Sequence, residues 1–521
     1  MKRVNGKGND KTRGRLSPAS CFIGRVEARR LRGDEAVKAV HALVAGGRGK
    51  AYLVGGMVRD VLIGCAPSNA RDYDFAVELA DNGDVAAFAN RLAMRLNGSP
   101  FALDKNEPSY RVVFMSNGAR SNADISGVKG NGIIQDLTLR DFTVNAAAID
   151  LQALFACPRG LKAGEGDGAK VFLIDPLKGK EDAAAKLLRM TGQRVFDDDP
   201  LRSLRAIRLA VRYGLAITQD TLEAMRLVAG SLEKVSAERL RDEMLLMFAG
   251  PGAAQCMRML LDLGLAIFVF PALTAWKQLK EYDLTAHSLS ALDEAELLLG
   301  SPDALSAIFG RHAPEVIRHL DAEIGVVSRR ALLKLSAFFH DVGKALIMTR
   351  VGGVLHFIGH ESQGALIARP MLRRLKMSRA MVLSLVNMIK NHHRVFAFAA
   401  LNKPSERAKA HLIRVCGNES VEALCLAVAD ARATRRGEED NELLSVVKSL
   451  ADFYFDVYSR KKPKPVMDGS FVMKTFGLKQ GVIIGEILRR VNEEVEAGAI
   501  RNKKEAVRFV RKLLPFFQRE A

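Results

Sequence analysis

Leu53-Val54-Gly55-Gly56-Met57-Val58-Arg59-Asp60 and, shortly after it, Arg71-Asp72-Tyr73-Asp74-Phe75 decide the reading of the N-terminal third of this chain. Ala51–Val54 is a short apolar strand signal that runs into two glycines, and a helix is expected to begin there. Glycines at such a turn let backbone N–H groups approach phosphate oxygens, and the positive end of the helix favours the same charge. Arg59 stands where a guanidinium would add a cationic grip on a triphosphate. In the second stretch Asp72 and Asp74 alternate with Tyr73, so a strand places both carboxylates on one side. Two carboxylates side by side repel unless a cation sits between them, which suits Mg²⁺ bound together with substrate phosphates. Two-metal chemistry calls for a further carboxylate from a neighbouring strand, and Asp124 is the candidate.

Working outward, Arg71–Leu79, Tyr110–Met115 and Asn122–Ile125 read as strands and Asp84–Leu96 as a helix. They make a small mixed α/β unit over residues 46–155. Residues 1–45 read as a basic arm, largely disordered: the first 33 are dense in Lys, Arg and Gly. Pro158–Lys170 reads as a loop. From Glu181 onward apolar residues recur at three and four, and the chain is expected to be almost wholly helical. Gly250-Pro251-Gly252 and Lys461–Pro465 divide that part into 171–250, 251–458 and 466–521. The apolar run Leu263–Trp276 reads as a core helix that ends at Pro271 and is too short for a bilayer. The fold class is thus α+β, an α/β head followed by helical segments.

Composition narrows the chemistry. The 521 residues carry 78 Lys and Arg against 59 Asp and Glu, a net charge of +19 that calls for a polyanionic partner, most simply nucleic acid. Aromatics at 6% argue against single-strand binding by stacking alone. The six Cys form no CxxC pair, which disfavours a zinc ribbon or a disulfide scaffold and fits reduced thiols in the cytoplasm. The polar, basic N-terminus is not a secretory signal.

A third motif is Leu139-Arg140-Asp141-Phe142-Thr143-Val144-Asn145-Ala146, in which Arg140, Asp141 and Asn145 share one helical face or turn. Beyond it, Arg202, Arg205, Arg208 and Arg212 recur at helical spacing, a basic stripe suited to reading a base or tracking an RNA backbone.

In this order and spacing the three motifs resemble the head domain of the class II tRNA nucleotidyltransferase and bacterial poly(A) polymerase family. The resemblance continues in Asp198-Asp199-Pro200-Leu201-Arg202, similar to the family's base-reading segment, and in Glu238-Arg239-Leu240-Arg241-Asp242-Glu243, similar to the helix that braces it. The resemblance implies that Asp72 and Asp74 hold catalytic Mg²⁺ with Asp124 assisting. It implies that Gly55, Gly56 and Arg59 hold the triphosphate and that Arg140, Asp141 and Asn145 contact sugar and phosphates. Asp199 and Arg202 would pair with the incoming base, so that protein rather than a template selects C or A; Arg205 and Arg208 continue that face. Two positions depart from the family pattern: Asp198 replaces a Glu, and Leu139 stands where a second Arg often precedes Arg140.

Most of the chain's ten His fall within His287–His393. His340-Asp341 sits in an apolar helical context with Gly343-Lys344 just after, which suits a divalent metal facing a phosphate. The order His287, His340-Asp341, His360, His392-His393, Asp430 resembles the HD metal-dependent phosphohydrolase superfamily. Imidazoles with carboxylates fit a divalent transition metal better than Mg²⁺ alone. The residues alone leave open which of His392 and His393 is the ligand. Asp468-Gly469 with Gly477-Leu478, Gly481 and Gly485-Glu486 resemble CCA-adding members that carry this domain.

The expectation is therefore an enzyme that adds C and A to tRNA 3′ ends from CTP and ATP and releases pyrophosphate, with an HD phosphohydrolase activity. A poly(A) polymerase, a CC-only or A-only enzyme, or an HD phosphohydrolase as the main activity remain alternatives. RNA is the expected partner, with no membrane association. Oligomeric state stays open.

Overall fold

The computed structural model describes residues 22–65, 72–80, 83–103, 108–156, 171–279, 281–401, 404–459, 466–478, 481–496, 500 and 502–517. The expected loop over Pro158–Lys170, the expected linker over Lys461–Pro465 and residues 1–21 of the expected arm lie outside them. The chain forms two compact units, Met1–Val228 and Ala229–Ala521.

The first unit is built on eight strands: β1 (Phe22–Ile23), β2 (Gly49–Val54), β3 (Asp72–Leu79), β4 (Ser99–Ala102), β5 (Ser109–Ser116), β6 (Ala119–Gly127), β7 (Ala148–Asp150) and β8 (Val171–Ile174). Their order is β1-β8-β7-β2-β3-β6-β5-β4. All neighbours are antiparallel except β3 and β6, whose parallel register sets Asp74 directly beside Asp124; on the other side Asp74 faces Val54. The period of two sorts the side chains. Leu53, Phe75, Val77 and Ile125 turn to one face, where Val37, Val40, Phe88 and Leu92 of the helices Glu35–Val44 and Val85–Leu96 cover them. Each such fully buried side chain contributes about 1.5–3 kcal/mol. Asp34 and Asp84 start these two helices, each accepting two backbone N–H groups, a cap worth ~1 kcal/mol. Tyr52, Val54 and Ala76 turn to the opposite face and make a smaller core with Ile133 and Leu137. Asp72, Asp74 and Asp124 stand on that second side.

Two expectations are corrected. Residues 22–45 are not a disordered arm: β1 pairs with β8, and Arg25–Gly33 and Glu35–Val44 are helices whose Ala28, Leu31, Val37 and Val40 belong to the head core. The run Leu263–Trp276 is not one helix. A turn at left-handed Gly264 ends the helix Ala253–Asp262, a short helix spans Ala266–Val269, and Pro271 starts a 3₁₀ helix instead of ending the run.

The second unit is almost wholly helical. The helices Leu284–Gly300, Arg329–Phe339, His360–Arg374, Arg379–Asn391 and Ser420–Thr434 surround the histidine-rich region. Gly469–Phe476, Val482–Glu496 and Lys503–Phe517 share a separate core around Val472, Ile487, Val491 and Val510. No helix of the described residues is long and apolar enough to cross a membrane. The described cysteines Cys65, Cys256, Cys416 and Cys425 are free thiols.

Candidate functional site

β2 ends at Val54, and the helix Gly55–Ile63 starts at once. Gly55 has φ +66, and a Cβ there would overlap the Asp74 carboxylate. Gly56 N–H donates to Asp74 Oδ2 at 3.2 Å. Burial pushes the Asp74 carboxyl above its ordinary pKa; the Gly56 bond opposes that shift and Asp124 adds to it. Such a crowded pair of acids draws a divalent cation. Gly55→Ala is therefore expected to cut nucleotide incorporation at least ~100-fold, because it combines a left-handed backbone cost of ~1–2 kcal/mol with displacement of Asp74. Gly56→Ala, whose Cβ would meet only the Arg59 guanidinium at ordinary contact distance, is expected to stay within about tenfold of the parent. Incorporation kinetics on the two variants check the contrast.

Asp74 and Asp124 lie in a cleft of ≈ 380 Å³ together with Gly55, Gly56, Arg140, Asp141, Asn145, Asp199, Arg202 and Arg205. Asp72 is exposed at the start of β3 and accepts from Asn122 Nδ2 at 2.8 Å. Asp124 is held by a residue the sequence did not single out: Arg111, opposite it on β5, donates to both carboxylate oxygens at 2.7 and 2.8 Å. Arg140 ties to buried Asp136 at 3.0 Å. Asp141 Oδ1 accepts from Asn145 Nδ2 at 2.8 Å, and Asp141 Oδ2 pairs with Arg205 at 3.1 Å. The helix Arg202–Tyr213 buries Leu204, Ile207 and Leu209 and turns Arg202 and Arg205 to the cleft. Arg208, half-buried, does not line it.

Arg59 is corrected as well. It is only 8% exposed and does not line the cleft. Its guanidinium donates to Asp60, to Asn145 Oδ1 and to the Tyr213 hydroxyl, so it braces the site from behind.

In the second unit the ligand candidates converge. His340 is fully buried, and its Nε2 lies 3.2 Å from Asp341 Oδ2 and 3.5 Å from Asp430 Oδ1. His287 Nε2 is 3.2 Å from each of those two oxygens. The other Asp341 oxygen, Oδ1, faces His360 at 3.1 Å and His392 at 3.5 Å. His340, His360 and His392 each bond the carbonyl three residues back through Nδ1, to Ala337, Phe357 and Ile389. That bond puts the proton on Nδ1 and leaves a lone pair on Nε2. Two such lone pairs, on His360 and His392, then lie 3.1 Å apart, an arrangement that repels unless a cation joins them. Both Asp341 oxygens are buried, and Lys344 Nζ pairs with Oδ2 at 2.5 Å. Burial alone would discharge His340, but Asp341 and Asp430 outweigh it and raise its pKa to about 10, so without metal its Nε2 keeps a proton that an entering cation would displace. A buried anionic field of this kind, faced by imidazole lone pairs, fits a divalent metal.

Of the adjacent pair, only His392 turns its Nε2 into the cluster. His393 is 54% exposed, and its Nδ1 faces Glu361 at 3.9 Å rather than Asp341, so its expected metal role is corrected. His312 with Asp452 and Asp456 also clusters, but Arg311 pairs with both carboxylates and satisfies them as an ion network. Gly343 is what allows the HD turn: a Cβ there would overlap the His360 carbonyl. Gly343→Ala is expected to displace His360, lowering bound metal by at least half in elemental analysis, while nucleotide incorporation is unchanged.

Residues 51–189 match the poly A polymerase head domain, 214–277 the probable RNA and SrmB-binding site of polymerase A, and 311–435 the HD domain. His287 lies before the matched HD range, although the fold places it in the cluster. The chain is 30% identical over 481 residues to the A-adding tRNA nucleotidyltransferase of Deinococcus radiodurans, covering 89% of this chain and 95% of that one. It is 29% identical over 467 residues to the CC-adding tRNA nucleotidyltransferase of Thermus thermophilus, covering 88% and 93%. A solved complex of a CCA-adding enzyme with CTP shares the fold at a TM-score of 0.57 and 22% identity, covering 95% and 99%. With that likeness running along almost its whole length, the chain belongs to the tRNA nucleotidyltransferase family and is an enzyme of the nucleotidyltransferase class.

Proposed function

We propose that this enzyme adds C and A to the 3′ ends of tRNA in the cytoplasm, using CTP and ATP without a template and releasing pyrophosphate. The observation that carries the reading is the single cleft that joins Asp74 and Asp124, above the Gly55-Gly56 turn, to Asp199, Arg202 and Arg205. Asp72 and Asp74 hold Mg²⁺, with Asp124 assisting from the adjacent strand. Bound there, the cation supplies charge neutralisation for the triphosphate and lowers the pKa of the attacking 3′-hydroxyl. Gly55 and Gly56 let the triphosphate approach the start of their helix. Arg140, Asp141 and Asn145 orient sugar and phosphates. Asp199 and Arg202 present a fixed acceptor and donor pattern to the base edge, which rejects a base that cannot match it. Arg205 supports them through Asp141.

The second unit is read as a phosphohydrolase whose metals are held in two sets. His287 and His340 face both Asp341 Oδ2 and Asp430 Oδ1, while His360 and His392 face Asp341 Oδ1. Divalent ions there would activate water and polarise a phosphate ester. Lys344 is placed to take one phosphate oxygen.

The test is incorporation of CTP and ATP, singly and together, into tRNA ending before CC and before A, followed by 3′-end sequencing. Completed CCA is the expected product. CC alone or A alone is the second reading, favoured by the full-length likeness to CC-adding and A-adding relatives. A long A tail on unrelated RNA would overturn both.

A further inference from the structure

Tyr213 is the last residue of the helix that carries Arg202 and Arg205, immediately before left-handed Gly214. Its hydroxyl accepts from Arg59 Nη2 at 2.6 Å and donates to Asp60 Oδ1 at 2.9 Å. The Arg59 guanidinium lies over its ring, 4.5 Å from the centroid. From Arg59 a chain of bonds returns to the same helix: Arg59 Nη1 to Asn145 Oδ1 at 3.2 Å, Asn145 Nδ2 to Asp141 Oδ1 at 2.8 Å, and Asp141 Oδ2 to Arg205 at 3.1 Å. The helix is thus pinned at two points eight residues apart, ~12 Å along its axis at 1.5 Å per residue. Each pin leads to the floor that carries the Gly55-Gly56 turn.

We propose that Tyr213 is a positioning residue for base selection: its hydroxyl, bonded to Arg59 and Asp60, fixes the tilt of the Arg202–Tyr213 helix and so the aim of Arg202 and Asp199 at the incoming base. The inference rests on the base-reading role given to Asp199 and Arg202 above. A two-point clamp is what such a reader needs. Freed at the Tyr213 end, a tilt of a few degrees moves the other end by about 1 Å, enough to spoil a geometry that tells one base edge from another. Nothing in the packing alone calls for the hydroxyl, since the ring would pack equally well as phenylalanine.

The experiment uses the full-length protein and truncated tRNA, with kcat/KM measured separately for CTP, UTP, ATP and GTP. Tyr213→Phe keeps the ring over Arg59 and removes both hydrogen bonds. It is expected to lower the CTP/UTP and ATP/GTP ratios by about tenfold, while the melting temperature moves by less than about 4 °C. Asp60→Ala breaks the same joint from the other side and should produce the same loss; it stands in should Tyr213→Phe fold poorly. The double variant should be no worse than either single one, the signature of a shared joint. Arg202→Ala serves as the reference for base reading. Should Arg202→Ala relax selectivity while Tyr213→Phe and Asp60→Ala both keep the parent ratios, the positioning role is wrong and the base-reading role stands. Should Arg202→Ala itself leave the ratios untouched, base reading by this helix falls, and the role of Tyr213 falls with it.

Discussion

Asp74→Asn is expected to lower nucleotide incorporation by about 10³-fold or more, the equivalent of ~4 kcal/mol in the barrier, and at the same time to make the metal-free protein more stable. Both halves follow from one geometry. Asp74 is partly covered, sits beside Asp124 in register and receives one backbone N–H, so burial dominates and its carboxyl pKa is raised. A raised folded-state pKa means that the protonated form is favoured on folding. The associated stability is fully present below the unfolded carboxyl pKa and is lost as pH rises through the folded one. At neutral pH the penalty of holding the charge is in place. Asparagine removes that charge and can still accept from Gly56 through its amide oxygen. The checks are a melting curve and a Mg²⁺ titration. Parent protein should melt lower than the variant without metal and gain stability as Mg²⁺ is added, while the variant should not respond. A variant that melts lower and incorporates nucleotide at parent rates would remove Asp74 from the site.

The two constellations were legible in the sequence because each depends on local periodicity. The strand period of two sets Asp72 and Asp74 on one side, although only Asp74 of the two lines the cleft, and helical spacing turns Arg202 and Arg205 to it. What failed to read locally depends on residues far away in the chain. Arg59 looked like a free cation beside a phosphate turn, and only Tyr213, 154 residues further on, shows it to be enclosed. Arg111 became visible only through the register that sets β5 against β6. His392 and His393 have the same chemistry and neighbouring positions; the turn between the helices Arg379–Asn391 and Arg394–Ala399, together with the place of Asp341, aims only the first of them into the cluster. The stretch before residue 46 misled through composition, because its arginines hid an apolar face of Ala28, Leu31, Val37 and Val40.

Asp341→Asn should empty the second unit of metal while leaving nucleotide incorporation intact. Asp341 faces both proposed ligand sets, Oδ2 with His287 and His340, Oδ1 with His360 and His392. Loss of the bridge therefore removes the anchor of each ion, whereas His360→Ala removes a ligand from only one set. Protein reconstituted with Mn²⁺ or Ni²⁺ and dialysed is expected to retain two ions per chain in the parent, one in His360→Ala and none in Asp341→Asn, by elemental analysis. Hydrolysis of p-nitrophenyl phosphate should follow the metal content. Stability should follow it too: an ion present at a thousand times its Kd adds ~4 kcal/mol to the folded state by mass action, so metal should raise the melting temperature of the parent and leave that of Asp341→Asn unmoved. The carboxylates of Asp341 and Asp430 are both held well below the usual range: burial opposes this, but the imidazole of His340 and the contacts from His287 override it. Hence the metal-free cluster keeps two negative charges among its histidines, and those charges are what a divalent ion would find on entry. An Asp341→Asn protein that still bound two ions would show that the histidines hold them without the bridge, and the two-set reading of this centre would have to be given up.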